Sequence, residues 1–191
     1  MNPQFRAIWE VHRFFAAEKI PYVLIGGIAL QWWGEPRFTR DVDVTILVNL
    51  GEEETVIRKI LSAFSPRIPD ALKFCLKNRI CLVKSKEGYE IDISLGIPGY
   101  EEEAMKRAVK CKLDKGHTVR ICSAEDLIIH KAVVGRPRDL SDIESIIIRQ
   151  GKKLDIRYIR KWLKEFSRAL GMHEMLDRFE EVRKQSRRKS D

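Results

Sequence analysis

The chain has 191 residues, of which 44% are hydrophobic and 34% are charged, and its formal net charge is +8. This composition is typical of an ordinary globular domain with a heavily charged surface. No apolar run approaches the roughly 18 residues of a membrane-spanning helix, and the first residues lack the apolar core of a secretory signal. The sequence therefore predicts a cytoplasmic protein that makes no membrane contact. Neither the four cysteines nor the four histidines have the spacing of a zinc site or of a catalytic triad.

The first two thirds of the chain alternate helices with short strands. Residues 3–19 predict an amphipathic helix, and a strand at 22–25 then leads through a Gly-Gly turn into a short helix that ends at Trp33. Further along, the patterns predict a strand at 40–48, a helix at 52–63, strands at 72–76, 79–83 and 89–95, a helix at 101–111 and a strand at 117–122.

The last third of the chain is predicted to be helical. Ser123 followed by Asp126 resembles a capping box that opens a helix at 124–135. Three more helices are predicted at 139–150, 155–169 and 172–186. The predicted fold class is therefore α/β (α+β), with a mixed-sheet core over residues 1–122 and a helical bundle over residues 123–191 that packs on this core.

Two aspartates in the strand at 40–48 are the strongest candidates for a functional site. Side chains alternate along a strand, so Asp41 and Asp43 project from one face, about 7 Å apart at Cα, while Val42 and Val44 face a core. Two adjacent carboxylates repel each other unless a cation neutralises them. Mg²⁺ binds carboxylate oxygens together with substrate phosphates, so the pair indicates a magnesium site.

A pair of glycines lies upstream of these aspartates. Gly26-Gly27 lets a backbone turn approach a ligand closely, and the helix that follows offers free N–H groups to a phosphate. Residues 22–47 resemble the DNA polymerase β-like nucleotidyltransferase superfamily, whose signature is a glycine pair followed by Asp-x-Asp. Residues 88–101 and 123–147 are similar to a subgroup near the abortive-infection type II toxin nucleotidyltransferases, and antibiotic nucleotidyltransferases are more distant relatives.

The resemblance implies a third carboxylate and a site for two metal ions. Asp92 stands where the family's Ile-Asp pattern places its third acid, and it would bind metal and take the proton from an acceptor hydroxyl. Glu90 shares its strand face and could substitute for it. Asp41, Asp43 and Asp92 are therefore the predicted catalytic residues and the predicted ligands of two Mg²⁺ ions, with an NTP as the substrate.

Further contacts with the NTP are predicted from basic residues. Lys131 lies on the packing face of the helix at 124–135, where its charge needs an anion. A nucleotide phosphate and a structural ion pair both satisfy this need. Arg37 and Arg136 could each clamp a phosphate or lie on an ordinary surface. The predicted nucleotide-binding residues are Gly26, Gly27, Arg37, Lys131 and Arg136.

The sequence thus predicts a Mg²⁺-dependent nucleotidyltransferase that moves an NMP from an NTP such as ATP to an acceptor hydroxyl. The predicted acceptor is RNA, such as a tRNA end, or a partner protein in a toxin–antitoxin pair. The alternatives are a small molecule of the antibiotic type, or a nucleotide-binding regulatory module without catalysis. Residues 151–191 contain 13 Lys or Arg against 7 Asp or Glu, which favours an acidic partner but also fits a solvated helical surface.

Overall fold

The computed structural model describes residues 2–96 and 98–188, and at residues 187 and 188 it describes the backbone alone. These residues form two compact units. One comprises the described residues up to Ile28 together with Phe38–Cys122, and the other comprises Ala29–Arg37 together with the described residues from Ser123 onward. The end of the basic segment 151–191, residues 189–191, lies outside the described residues.

The first unit contains a mixed β-sheet. Its strands are β1 (Tyr22–Leu24), β2 (Asp41–Leu47), β3 (Ser65–Pro66), β4 (Ile80–Lys84), β5 (Glu90–Gly96), β6 (Val109–Asp114) and β7 (His117–Ile121). The described strands lie in the order β3-β4-β5-β2-β1-β7-β6. The β2/β5 and β1/β7 pairs are parallel, and the remaining pairs are antiparallel. This mixed sheet confirms the predicted fold class.

The helices of this unit follow from local sequence signals. Helix α1 (Pro3–Ala17) begins where the Asn2 side chain accepts a hydrogen bond of 2.8 Å from the Phe5 backbone N–H, a standard N-cap. Its buried side chains recur every three or four residues, so one face packs into the core. The other helices are α2 (Gly26–Trp33), whose first residues belong to this unit, α3 (Glu53–Ala63), α4 (Ala71–Asn78) and α5 (Tyr100–Arg107).

Alternation along the central strands separates a dry face from a polar face. Val42 and Val44 on β2, and Ile91 and Ile93 on β5, are completely buried on one face of the sheet. Each such side chain contributes about 1.5–3 kcal/mol through removal from water. The residues between them on both strands are acidic, so the opposite face of the same two strands carries carboxylates.

Two predicted elements of this unit are wrong. The strand predicted at 72–76 is part of helix α4, where Ala71 and Cys75 are buried one helical turn apart. An apolar run of this length does not distinguish a strand from a buried helix. The helix predicted at 101–111 ends at Arg107, and β6 follows it directly. The alternating sequence KCKLD was the signal for this strand.

The second unit is helical, as predicted. It contains α6 (Ala124–Val134), α7 (Pro137–Gln150), α8 (Ile156–Leu170) and α9 (Glu174–Arg188), with a 3₁₀ turn at Gly151–Lys153. Ser123 accepts a hydrogen bond of 3.1 Å from the Asp126 N–H at the start of α6, which is the predicted cap. None of the described helices is both long and apolar enough to cross a membrane.

Candidate active site

The register of β2 and β5 brings four carboxylates together in the first unit. Asp41 is the partner of Glu90, and Asp43 is the partner of Asp92. Partners on adjacent strands lie about 5 Å apart and point to the same face of the sheet. The predicted catalytic residues therefore occupy two neighbouring strands, and Glu90 belongs to the same group.

Gly26 lies directly against the Asp43 carboxylate. Its φ of +59° is in the left-handed region, and a Cβ atom built on Gly26 would lie 1.9 Å from Oδ2 of Asp43. The Ile25 N–H also donates a hydrogen bond of 2.9 Å to the Asp43 carbonyl. Only glycine satisfies both the backbone conformation and this close approach. The glycine turn and the aspartate strand are thus held together at the point where the sequence predicts phosphate and metal to meet.

Thr39 connects the second glycine to the first aspartate. A Cβ atom on Gly27 would lie 2.7 Å from the Thr39 side chain. The Thr39 hydroxyl donates a hydrogen bond of 2.7 Å to Oδ1 of Asp41, and the residue is 7% exposed. Thr39 therefore orients Asp41 from a buried position, and the small size of Gly27 leaves room for it.

Arg67 is a functional candidate that the sequence did not reveal. Its guanidinium donates a hydrogen bond of 2.5 Å to Glu90 and another to Asp92, and the side chain is 15% exposed. Its backbone N–H is held by the Leu82 carbonyl at 2.9 Å. Arg67 follows the two-residue strand β3, and no pattern of sequence marks so short a strand.

Opposing effects act on the Asp92 carboxyl. Burial is the largest and raises its pKa, and the neighbouring carboxylates Asp41 and Glu90 also raise it. The Arg67 guanidinium lowers the pKa but does not cancel the burial, so the net direction is upward. A carboxyl with a raised pKa accepts a proton more readily, as a general base requires.

The donor set fits a divalent cation in its chemistry. Carboxylate oxygens from adjacent strands are the ligands that Mg²⁺ prefers. Within residues 2–96 and 98–188, however, no three His, Cys, Asp or Glu side chains converge closely enough to hold an ion. Arg67 engages Asp92 and Glu90 in this arrangement, so a metal ion would compete with its guanidinium for these oxygens.

The second unit brings three other predicted residues into one ion network. Lys131 is 7% exposed at its side chain, and its Nζ lies 2.5 Å from Asp142 and 3.5 Å from Asp139. Arg37 makes two hydrogen bonds to Asp142, at 3.0 and 2.8 Å, and Arg136 donates one of 2.7 Å to Asp139. Lys131 therefore forms a structural ion pair, which is one of the two alternatives that the sequence left open.

The ion network lowers the pKa of Asp142 and caps the N-terminus of α7. Burial alone would raise the pKa of Asp142, but hydrogen bonds from Arg37 and Lys131 outweigh it and hold the pKa below its usual value. Arg136 is the N-cap residue of α7, and its backbone N–H donates to the Asp139 carboxylate at 3.3 Å. Asp139 lies in the first turn of α7, three residues after this N-cap.

Comparison with known proteins decides the class of the chain. A family model described as "Nucleotidyltransferase of unknown function (DUF6036)" matches residues 6–187. The chain belongs to this nucleotidyltransferase family. The family confirms the predicted enzyme class and implies a nucleotide substrate, while the toxin-like subgroup stays a prediction. No curated protein sequence is detectably similar to the chain.

Solved structures share the fold of this nucleotidyltransferase. The solution structure of the antibiotic-resistance factor ANT(2'')-Ia is 16% identical with a TM-score of 0.61, over 90% of this chain and 96% of that chain. The crystal structure of ANT(2'')-Ia with adenylyl-2''-tobramycin is 15% identical with a TM-score of 0.57, over 88% and 99%. An antigenic nucleotidyltransferase-like protein from Paracoccidioides brasiliensis is 17% identical with a TM-score of 0.52, over 89% and 90%. These similarities establish a shared fold.

Proposed function

We propose that this nucleotidyltransferase moves a nucleoside monophosphate from a Mg²⁺-bound nucleoside triphosphate, such as ATP, to an acceptor hydroxyl. The acceptor oxygen forms a bond to the α-phosphorus, the bond to pyrophosphate breaks, and the hydroxyl proton goes to a carboxylate. The observation that carries this proposal is the β2/β5 register, which pairs Asp41 with Glu90 and Asp43 with Asp92 on one face.

Asp41, Asp43 and Asp92 have the donor chemistry to hold Mg²⁺. When bound, the ion stabilises negative charge on the attacking and leaving oxygens. Thr39 holds the Asp41 side chain in one orientation through its hydrogen bond of 2.7 Å. Asp92 is the cross-strand partner of Asp43, which supports its role as the carboxylate that takes the proton. Glu90 shares Arg67 with Asp92 and would remain at the edge of the site.

The glycine turn of the first unit would bind a phosphate of the NTP. The backbone N–H groups at the start of α2, from Gly26 and Gly27, suit a phosphate because they have no partner within the helix. In the second unit, taken by itself, the predicted phosphate-binding cations Arg37, Lys131 and Arg136 each pair with Asp139 or Asp142 in the free protein. A phosphate would compete with these carboxylates for the cations, and the Arg136 side chain, which is 71% exposed, is the most accessible of the three.

RNA is the acceptor that we favour, with a tRNA end as a natural example and a partner protein as a second macromolecular acceptor. The net charge of +8 favours a polyanion. A small-molecule acceptor is the second candidate, because the fold is shared with ANT(2'')-Ia, which was crystallised with adenylyl-2''-tobramycin. A cationic aminoglycoside would favour an acidic surface. A toxin–antitoxin role and a cytoplasmic location are part of the proposal.

A labelling experiment tests the proposed reaction. The protein and its Asp43→Asn variant are incubated with Mg²⁺ and each α-labelled NTP, and are offered total cellular RNA, a protein lysate or a panel of aminoglycosides. We expect label on RNA with the wild-type protein and none with Asp43→Asn. Label transfer at the same rate by the wild type and by Asp43→Asn contradicts the mechanism. Equal binding of NTP by both proteins without any transfer supports a binding module instead.

A further inference from the structure

A short segment of the first unit has a strong positive charge. Between residues 106 and 120 the chain contains six Lys or Arg and one carboxylate, Asp114. The segment includes the hairpin of β6 and β7, and β6 is the edge strand of the sheet. An edge strand with exposed lysines resists pairing with other strands, and this role alone would explain one or two of the charges.

The register of the sheet shows which face carries these charges. Leu24 on β1 is the partner of both Val44 on β2 and Ile121 on β7. Partners share a face and neighbours along a strand alternate. Asp43, next to Val44, therefore points to the same face as Arg120, next to Ile121. The charged side of the hairpin and the carboxylates of β2 and β5 belong to one face of one sheet.

Three cations form a row on this face. Lys110 is the partner of Arg120, and Lys112 is the partner of Thr118. Lys110 and Lys112 are exposed, whereas Cys111 between them is buried on the other face. We call Lys110, Lys112 and Arg120 the basic strip. Three strand spacings, about 15 Å, separate β6 from β2, and the register places Lys110 level with Thr45, two residues along β2 from Asp43, so the strip lies roughly 16–20 Å from the Asp43 carboxylate.

The charges of the basic strip are not neutralised by the described residues. Lys110 and Arg120 lie directly opposite each other, an arrangement of like charges that destabilises an antiparallel pair. The Arg120 guanidinium donates to the neutral carbonyl of Met105 at 2.7 Å. Neither Lys110 nor Lys112 forms an ion pair with any described residue, and Asp114 is paired with His117.

We propose that the basic strip binds the phosphate backbone of a single-stranded RNA acceptor, whose terminal hydroxyl reaches the carboxylates on the same face. The role as acceptor rests on the proposed nucleotidyl transfer, whereas the binding of RNA does not. A phosphate backbone supplies negative charge at regular intervals and needs no specific base contacts. The repulsion between Lys110 and Arg120 is therefore reduced when the RNA binds.

RNA binding by two double variants tests the strip. Lys110→Ala/Lys112→Ala removes two of its charges. Lys73→Ala/Lys77→Ala removes the same charge from exposed positions on α4, which packs on the opposite face through the Cys75 and Cys81 thiols. Affinity for a short single-stranded RNA is measured by fluorescence anisotropy over a range of salt concentrations, without NTP.

The strip variant should lose two phosphate contacts. The slope of log K against log[salt] then falls by about 1.4, which corresponds to roughly 25-fold weaker binding at about 0.1 M salt. The control variant should keep the wild-type slope and affinity. Equal affinities and slopes in the two double variants overturn the proposal, and so does a wild-type protein that does not bind RNA.

Failure of the strip and failure of the proposed function give different results. If the strip variant binds RNA like the wild type while Asp43-dependent label still appears on an acceptor, only the strip is wrong. If RNA binding depends on the strip but no acceptor is labelled, the proposed RNA-binding surface is supported and the proposed transfer reaction is wrong.

Discussion

Replacement of Gly26 by alanine tests the contact on which the active-site geometry depends. The new Cβ would lie 1.9 Å from Oδ2 and 2.6 Å from Cγ of Asp43, far inside the 3.0 Å that real contacts respect. The two groups must therefore separate by about 1.1 Å. Because Asp43 is in the central strand of the sheet, we expect its carboxylate to rotate away rather than the strand to move.

The stability of the variant separates this clash from backbone strain. Alanine in the left-handed region costs about 1–2 kcal/mol, and overpacking adds about 1–3 kcal/mol. Gly171→Ala is the matched control, since Gly171 has a φ of +65° and a Cβ added there would meet no described atom within 4 Å. Thermal unfolding should show that backbone strain lowers the free energy of unfolding of both variants. The clash should lower it further in Gly26→Ala alone. In an Asp43→Ala background most of the extra cost should disappear, since only the Cβ of residue 43, at 2.9 Å, remains close.

Activity is the second measurement on these variants. A misplacement of about 1 Å in a catalytic group costs roughly 10²-fold in rate. We therefore expect Gly26→Ala to lower kcat about 100-fold, and Gly171→Ala to leave it unchanged. A wild-type kcat in Gly26→Ala, or an equal loss in both variants, would show that the carboxylate of Asp43 is not held against the glycine turn during the reaction.

Three other substitutions test the remaining contacts. Thr39→Val keeps the shape of the side chain but removes the hydrogen bond to Asp41, worth about 1.5–3 kcal/mol to a charged group, so the melting temperature should fall by about 3–12 °C and kcat at least 10-fold. Arg67→Ala leaves its two carboxylate partners unpaired, so Mg²⁺ should raise the melting temperature of the variant more than that of the wild type; an equal rise contradicts competition between metal and arginine. Asp142→Asn should cost about 3 kcal/mol, because the buried Lys131 and the partly buried Arg37 each lose a charged partner. Since the folded-state pKa of Asp142 is depressed, the wild type should lose this contribution as pH falls below the ordinary value of 3.8, and the variant should lack that acid-dependent loss.

The sequence allowed the carboxylates to be predicted because their arrangement is local. Alternation within β2 places Asp41 and Asp43 on one face, and the same rule places Asp92 within β5. The pairing of these strands was the only long-range step, and family resemblance supplied it. The structure adds the register that makes Asp43 and Asp92 partners. The roles of these residues in catalysis stay predictions until the variants are measured.

Arg67 and the basic strip could not be predicted in the same way. Arg67 reaches Glu90 and Asp92 only because β3 pairs with β4, and a strand of two residues has no periodicity that a sequence can reveal. The strip was hidden by the helix predicted at 101–111, which assigned Lys110 to a helix surface. A helix would have placed the lysines around its circumference, whereas the strand places them on one face.

The two cation groups of the first unit suggest an order of events on its polar face. Arg67 bridges Asp92 and Glu90, where Mg²⁺ would bind, so these two carboxylates share one cation in the free protein. The lysines of the basic strip, Lys110 and Lys112, are exposed and form no ion pair with any described residue, so they are open to a polyanion. We therefore expect RNA to bind without metal or nucleotide, whereas Mg²⁺ must first displace the Arg67 guanidinium. If RNA affinity of the wild type rises steeply with Mg²⁺ and NTP, the acceptor binds through the carboxylate site, and this order is wrong.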